Sequence, residues 1–381
     1  MKDDYKIRIF QPNVRPYRIG LFEGIGCRYP KRVELCAAPF FDSTLPSCAL
    51  KGVEMDYTHP YVVTKVVRWQ RGFSIEGLKK GDVVVIAGEP RNLSMMRIAM
   101  LARSHGIGVL WWGLHKMPNQ KWLTLRIRKW IMTRLADTVL FYNKAGVDWM
   151  RNEGDDISHV FATGNTINQA PIKDAIKAWT PEKLLDFKRK NDLIGKRIVL
   201  SCSRIIEKQR LHEAIVALAQ TPLNRPDTIL VVIGDGPLKD ECVSLAKKEG
   251  VSDRIRWLGA IYDEHEMAPW FLSARAFTYP GPVGLAILKA LSYGLPAVIN
   301  DTHNSTEAEI MENGKTGMLF KENDTYDLSS VLDELMKDEE RWRKMSEYSQ
   351  KVAFENYSMD QMVDNFCAAL EDAHKQAMIK A

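Results

Sequence analysis

The sequence predicts an α/β protein of two domains, each built on a parallel sheet. Three observations carry this. The chain has 381 residues, more than one core of ordinary size covers. Strand-like and helix-like segments alternate almost throughout. The strand-like segments are short continuous apolar runs, which suits strands covered on both faces.

In order, KIRIF (6–10), DVVVIAG (82–88), GVLWWG (108–113) and TVLFYN (138–143) read as buried strands of the first domain. NLSMMRIAMLARSHG (92–106) reads as a helix stopped at Gly106. The second half repeats the theme with RIVLSCS (197–203), TILVVIGDG (228–236), IRWLG (255–259), AFTYP (276–280) and PAVIN (296–300). LKDECVSLAKKEG (238–250) is one of the helices between them. Residues 171–196 are polar, charged and strandless, and read as an interdomain linker. The domains are therefore expected at 1–170 and 197–358, followed by an amphipathic helix within 359–381.

An apolar fraction of 45% suffices for two cores. The net charge of +5 is mild and its cations are spread along the chain, which argues against a nucleic-acid partner. No apolar run is long enough to span a bilayer, and MKDDYKIRIFQP is not a signal peptide. Cysteines 27, 36, 48, 202, 242 and 367 lack metal or redox spacing. They read as buried thiols of a reducing compartment, so a cytoplasmic location is expected.

Three features of the second half follow strand ends, where open parallel sheets bind ligands. SRIIEKQR (203–210) supplies Arg204, Lys208 and Arg210. IGDGP (233–237) is a turn on Gly234 and Gly236. PGPVGLAILKALSYGLPAV (280–298) is a small-residue turn feeding a helix, with backbone amides of Val283, Gly284 and Leu285 at its start. Cations beside helix N-termini read as a diphosphate cradle.

The order SRIIEKQR, VVIGDGP, DRIRWLGAI, PGPVGLAILKALSYGLPAV, EAEIMENGKTGMLF resembles the nucleotide-binding domain of retaining GT-B glycosyltransferases of the family 4 type. The resemblance covers roughly residues 195–325, and YSMDQMVDNF (357–366) resembles that family's ending. It implies a GT-B fold, two Rossmann-like domains facing across a cleft, with the last helix returning to the N-terminal domain. It also implies a nucleotide-sugar donor on the C-terminal domain and a saccharide acceptor on the N-terminal one. Arg204 matches the family's diphosphate arginine. Where the family has its lysine this chain has Gln209, so Lys208 or Arg210 substitutes, with Lys208 preferred.

The family's two glutamates for donor hydroxyls are replaced here by Gly281 and Lys289. A carboxylate accepts two hydrogen bonds from a diol, whereas an ammonium only donates. Three readings stay open: an active bacterial surface-polysaccharide subfamily with a changed donor grip, in which Lys289 meets a ribose oxygen or points elsewhere; a non-catalytic partner; or a differently placed site. A deoxyribose donor such as a dTDP-sugar would miss the ribose carboxylate least. Glu309 in NSTEAEI (304–310) matches a family glutamate and recovers some hydroxyl recognition, or acts only as a helix-start acid.

On the N-terminal side, QPNVRPYRIGLFEGI (11–25) resembles a variant opening in which Arg15 and Arg18 reach a phosphate, or anchor the loop. GEPRNLSM (88–95) and WWGLHKMP (111–118) also follow strands. They offer Glu89 and His115 as catalytic-region candidates, His115 to meet the leaving phosphate or orient the acceptor hydroxyl. Asn165 in GNTIN (164–168) reads as a turn former or an acceptor contact. KWLTLRIRKWIMTRLAD (121–137) has five basic residues before its acid, Asp137. As a helix it sets Leu123, Ile127, Trp130 and Ile131 on one apolar face. That face lies on anionic membrane or packs into the core.

The family's front-face attack, in which the donor phosphate helps deprotonate the acceptor, asks mainly for charge stabilisation and positioning. No Asp-x-Asp stands where a metal would sit, so no metal and no further cofactor are expected. The expected function is a glycosyltransferase moving a sugar from a nucleotide-sugar donor to a saccharide, lipid-linked acceptor, with retention. The alternatives are a non-catalytic nucleotide- or glycan-binding subunit, or a nucleotide-sugar epimerase or hydrolase on the same fold.

Overall fold

The computed structural model describes residues 4–38, 50–57, 62–63, 67–116, 120–302 and 306–380. Cys48 lies outside these. Residues up to Asn165, together with those from Met359 on, form one compact unit; Thr166–Ser358 form the other.

The first unit runs β1 (Ile7–Asn13), α1 (Ile19–Arg28), β2 (Val33–Ala38), β3 (Glu54–Tyr57), β4 (Val62–Val63), β5 (Arg68–Trp69), β6 (Val83–Ala87), α2 (Leu93–Ser104), β7 (Gly108–Gly113), α3 (Trp122–Leu135), β8 (Thr138–Phe141), α4 (Lys144–Asn152) and β9 (Val160–Ala162). Its seven-stranded parallel sheet has the order β3-β2-β1-β6-β7-β8-β9, and β4 pairs antiparallel with β5. Alternate residues feed two cores, as the two-residue strand period requires. Ile7, Ile9, Val83, Val85 and Leu110 face one side; Phe10, Val84, Ile86, Val109 and Trp111 face the other, with Met95 and Ile98 of α2. Asn92 caps α2 by accepting from the Met95 N–H.

The second unit runs α5 (Ala170–Ala178), α6 (Pro181–Lys190), β10 (Arg197–Cys202), α7 (Leu211–Ala219), β11 (Thr228–Ile233), α8 (Lys239–Lys248), β12 (Ile255–Gly259), α9 (Glu264–Ser273), β13 (Ala276–Tyr279), α10 (Ala286–Ser292), β14 (Ala297–Asn300), β15 (Gly317–Phe320), α11 (Thr325–Lys337) and α12 (Glu339–Glu355). Its six strands are parallel in the order β12-β11-β10-β13-β14-β15. Ile198 and Leu200 face one core, Val199 the other.

The linker expected at 171–196 is corrected by the fold. These residues form α5, α6 and the turn into β10, and they belong to the second unit. Ile172, Ala175 and Leu193 are buried in its core, and the Phe187 ring meets Trp270 edge-on at 4.9 Å. A few apolar residues at helical spacing outweigh a charged average composition.

The last helix, α13 (Met359–Ile379), lies in the first unit. It buries Met362, Val363, Phe366, Leu370 and Ala373 against the sheet, with Phe366 edge-on to Trp112 at 5.0 Å.

Candidate functional site

In each sheet, neighbouring strands stop following chain order at one place. This switch point lies between β1 and β6 in the first unit and between β10 and β13 in the second. Connections leave in opposite directions there, opening a crevice beyond the strands' carboxyl ends. The loops at those ends are 14–18 and 88–92 in the first unit, and 203–210 and 280–285 in the second. All four were singled out from sequence.

In the second unit, Ser203 N–H donates to Ile233 O at 3.0 Å and Ile205 N–H to Asp235 O at 2.9 Å, joining the loops after β10 and β11. Gly234 (φ +145°) and Gly236 permit this contact: a Cβ would lie 1.8 Å from Ser203 O and 2.3 Å from Ile205 O respectively. The two glycines thus shape the loop that carries Arg204. Arg204 and Lys208 are exposed, and neither side chain is paired with a described residue. No described carbonyl accepts from the N–H groups of Val283, Gly284 or Leu285. Unclaimed amides and free cations are what an anion requires.

In the first unit, the Arg18 guanidinium lies 4.3 Å from the Trp112 ring centroid and donates to Tyr142 Oη at 2.6 Å and Gln11 Oε1 at 3.0 Å. Gln11 is buried and its Nε2 has no partner among the described residues. Arg15 is exposed without a described partner. Buried Arg128 of α3 donates to Gly88 O at 2.5 Å and Leu114 O at 2.7 Å, tying the loops after β6 and β7 together. The flanking residues are Glu89, paired with Arg91 at 3.1 Å, and His115. Burial, and then the charges of Lys116 and Arg128, push the His115 imidazole down to about 4. It is therefore neutral at pH 7, and its Nδ1 has no partner among the described residues. Asn165 N–H donates to Tyr142 O at 3.0 Å, linking the segment after β9 to the one after β8.

Residues 185–352 match the family model of glycosyl transferases group 1. The chain is 25% identical over 172 residues to N-acetyl-alpha-D-glucosaminyl L-malate synthase of Bacillus anthracis, covering 45% of this chain and 44% of that protein. It is 23% identical over 176 residues to the lipopolysaccharide core biosynthesis glycosyltransferase LpsE of Rhizobium meliloti, covering 45% and 49%. The chain thus spans about half the length of these curated relatives. Its fold matches the structure of HepE from Anabaena in complex with UDP, at a TM-score of 0.69 and 17% identity over 96% of this chain and 99% of that one. The chain has the GT-B fold, and residues 185–352 of its second unit are similar to glycosyl transferases group 1.

Within the second unit, the geometry alters three expectations. Arg210 is not a free cation. It adopts φ 55° and binds Glu213, Glu322 (3.0 Å) and Asn323, which anchors the loop to the start of α7. Lys289 is paired within the unit. Its Nζ sits 2.6 Å from Glu264 Oε2, and Glu264 Oε1 accepts from Tyr293 Oη at 2.7 Å. The ammonium's strongest partner is thus a neighbouring carboxylate. At Gly281, a Cβ would lie 2.1 Å from Lys208 O, and its N–H donates to Gln209 O at 3.2 Å. A glutamate does not fit where the 203–210 loop passes so close.

Sequence reasoning missed Glu264, Tyr293 and Cys202. The Cys202 thiol, at the end of β10, is pushed up to about 11 by burial and feels the charges of both Lys289 and Glu264. The Lys289–Glu264–Tyr293 group therefore sits near the carboxyl edge of the sheet. The Tyr279 hydroxyl, pushed up to about 12 by burial, feels Cys202 and Glu307 there. Glu309 lies in the 3-10 turn Thr306–Ile310 and acts electrostatically on Tyr357. No short motif announces Glu264, because its partner is 25 residues away. Among the described residues, one trio has metal-ligand proximity, Glu34, Cys36 and Asp56, but Arg8 already pairs with Glu34 at 2.7 Å.

Proposed function

We propose that the protein transfers a sugar, with retention and without a metal ion, from a nucleotide-sugar donor to a saccharide acceptor that is lipid-linked. The observation that carries the reading is the pairing of free Arg204 and Lys208 with unclaimed amides at the second unit's switch point. These groups would hold the donor diphosphate and stabilise the charge that develops on it as the glycosidic bond breaks. Neutral His115 would accept from, or donate to, a hydroxyl without adding charge. Arg18, held between Trp112 and Tyr142 and bonded to half-satisfied Gln11, is the polar group best placed on the first unit's edge for an acceptor. The match to glycosyl transferases group 1 supports the same reaction class.

A panel of UDP, GDP, dTDP, CMP and their sugars, with and without EDTA, tests this by thermal shift. UDP comes first because HepE binds it. A ligand at ~100 times its dissociation constant adds ~2.7 kcal/mol of stability. One base should stabilise the protein regardless of EDTA, and Arg204→Ala should remove the effect. Stabilisation by none would overturn the reading. The second reading, a nucleotide-binding subunit without turnover, is favoured by the lost carboxylates at 281 and 289; binding without donor hydrolysis or transfer would select it.

A further inference from the structure

We infer that α3, with Lys121 at its start, is a docking face for an anionic lipid surface. A surface helix ordinarily turns its apolar stripe to the core. In α3 only Arg128 and Met132 are buried. Trp122 is 67% exposed, Leu123 61%, Ile127 50% and Trp130 62%. Leu123, Ile127 and Trp130 follow at i, i+4 and i+7, so they share one face, with Trp122 and Arg126 beside them. The helix keeps its inward contact through Arg128, leaving these large side chains no place in the core.

The charge of the helix itself is as one-sided as its apolarity, with Glu153 of the neighbouring segment bordering the face. Residues 115–136 contain no Asp or Glu. Lys129 turns aside to Glu153 (3.4 Å) and Asp155 (2.5 Å). Lys121, Arg126 and Arg134 are exposed and form no ion pair with a described residue, and the Arg126 guanidinium lies 5.0 Å from the Trp122 ring centroid. Tryptophan beside arginine suits an interface where one side is apolar and the other wet and anionic. Uncompensated cations favour an anionic lipid surface over an apolar protein partner. The geometry agrees: a 14-residue helix is a strip about 21 Å long, whereas a stable protein interface takes ~800 Å² from each partner. Among the described residues no helix is long and apolar enough to cross a membrane, so contact through this face would be peripheral.

Co-sedimentation of the whole protein with phosphatidylcholine vesicles, and with vesicles of about one-third phosphatidylglycerol, reads this out. Binding is expected only to the anionic vesicles and should weaken with salt. Trp122→Ala/Trp130→Ala and Arg126→Glu/Arg134→Glu should each lower the partition coefficient by about tenfold or more, with unchanged melting temperature because all four side chains are exposed. Equal binding of wild type and both variants, or no binding to anionic vesicles, overturns the inference. So does a dimer that the tryptophan variant dissolves while vesicles stay unbound, which would make the face a protein contact. None of these outcomes depends on nucleotide binding or turnover.

Discussion

Lys289 is the residue where chain position and environment disagree most. It occupies a place where a glutamate was expected, yet it neutralises Glu264, which Tyr293 also holds. Lys289→Glu would set two carboxylates against each other in a partly buried setting. It should lower stability by about 3 kcal/mol and should not strengthen nucleotide binding; chemical denaturation checks the first and calorimetry the second. Glu264→Lys/Lys289→Glu should recover most of the loss. A stable Lys289→Glu protein that binds nucleotide more tightly would restore Lys289 to the ligand side. His115 offers a second test. Its folded value near 4 lies below the ordinary 6.5, so the unfolded chain binds more protons between these values. Stability should therefore fall as pH drops from about 6.5 towards 4. The fall should be shallower in His115→Asn, as urea titrations at each pH would show.

Among elements, α13 carries the clearest separation between chain order and packing. It follows the second unit in sequence but supplies Met362, Val363, Phe366, Leu370 and Ala373 to the first unit's core. Loss of one buried Phe alone costs ~3–5 kcal/mol. Truncation after Ser358 should therefore unfold the first unit at moderate temperature while the second keeps a cooperative transition. Calorimetry should then show one retained peak in place of two. A truncated chain with both transitions intact would contradict the packing. Elements were legible where one period dominated. Strands β1, β6, β7, β8, β10 and β11 announced themselves as apolar runs, because both faces of each are covered. Strands β2, β3, β9 and β15 did not. Glu34 interrupts β2, β3 reads EMDY on the sheet's edge, and β9 and β15 are short. The helices α5 and α6 were hidden by charge that faces outward while Ile172 and Ala175 face in.

For the whole molecule, the sequence by itself determined two parallel α/β layers and the loops that end at each switch point. Those properties depend on local period and on small residues at turns, which a single chain displays directly. It also marked Arg204, Lys208, Arg210, Lys289, Arg15, Arg18, Glu89 and His115 as candidate site groups. Only the tertiary structure decided which of these are free. It spent Arg210 on Glu213 and Glu322, gave Lys289 to Glu264, and left Arg204 and Lys208 exposed. It also turned the tryptophans of α3 outward. The physical reason is common to all four. A side chain's charge and hydropathy are properties of the residue, but its partner is chosen by packing between segments distant in sequence, and no local pattern encodes that distance.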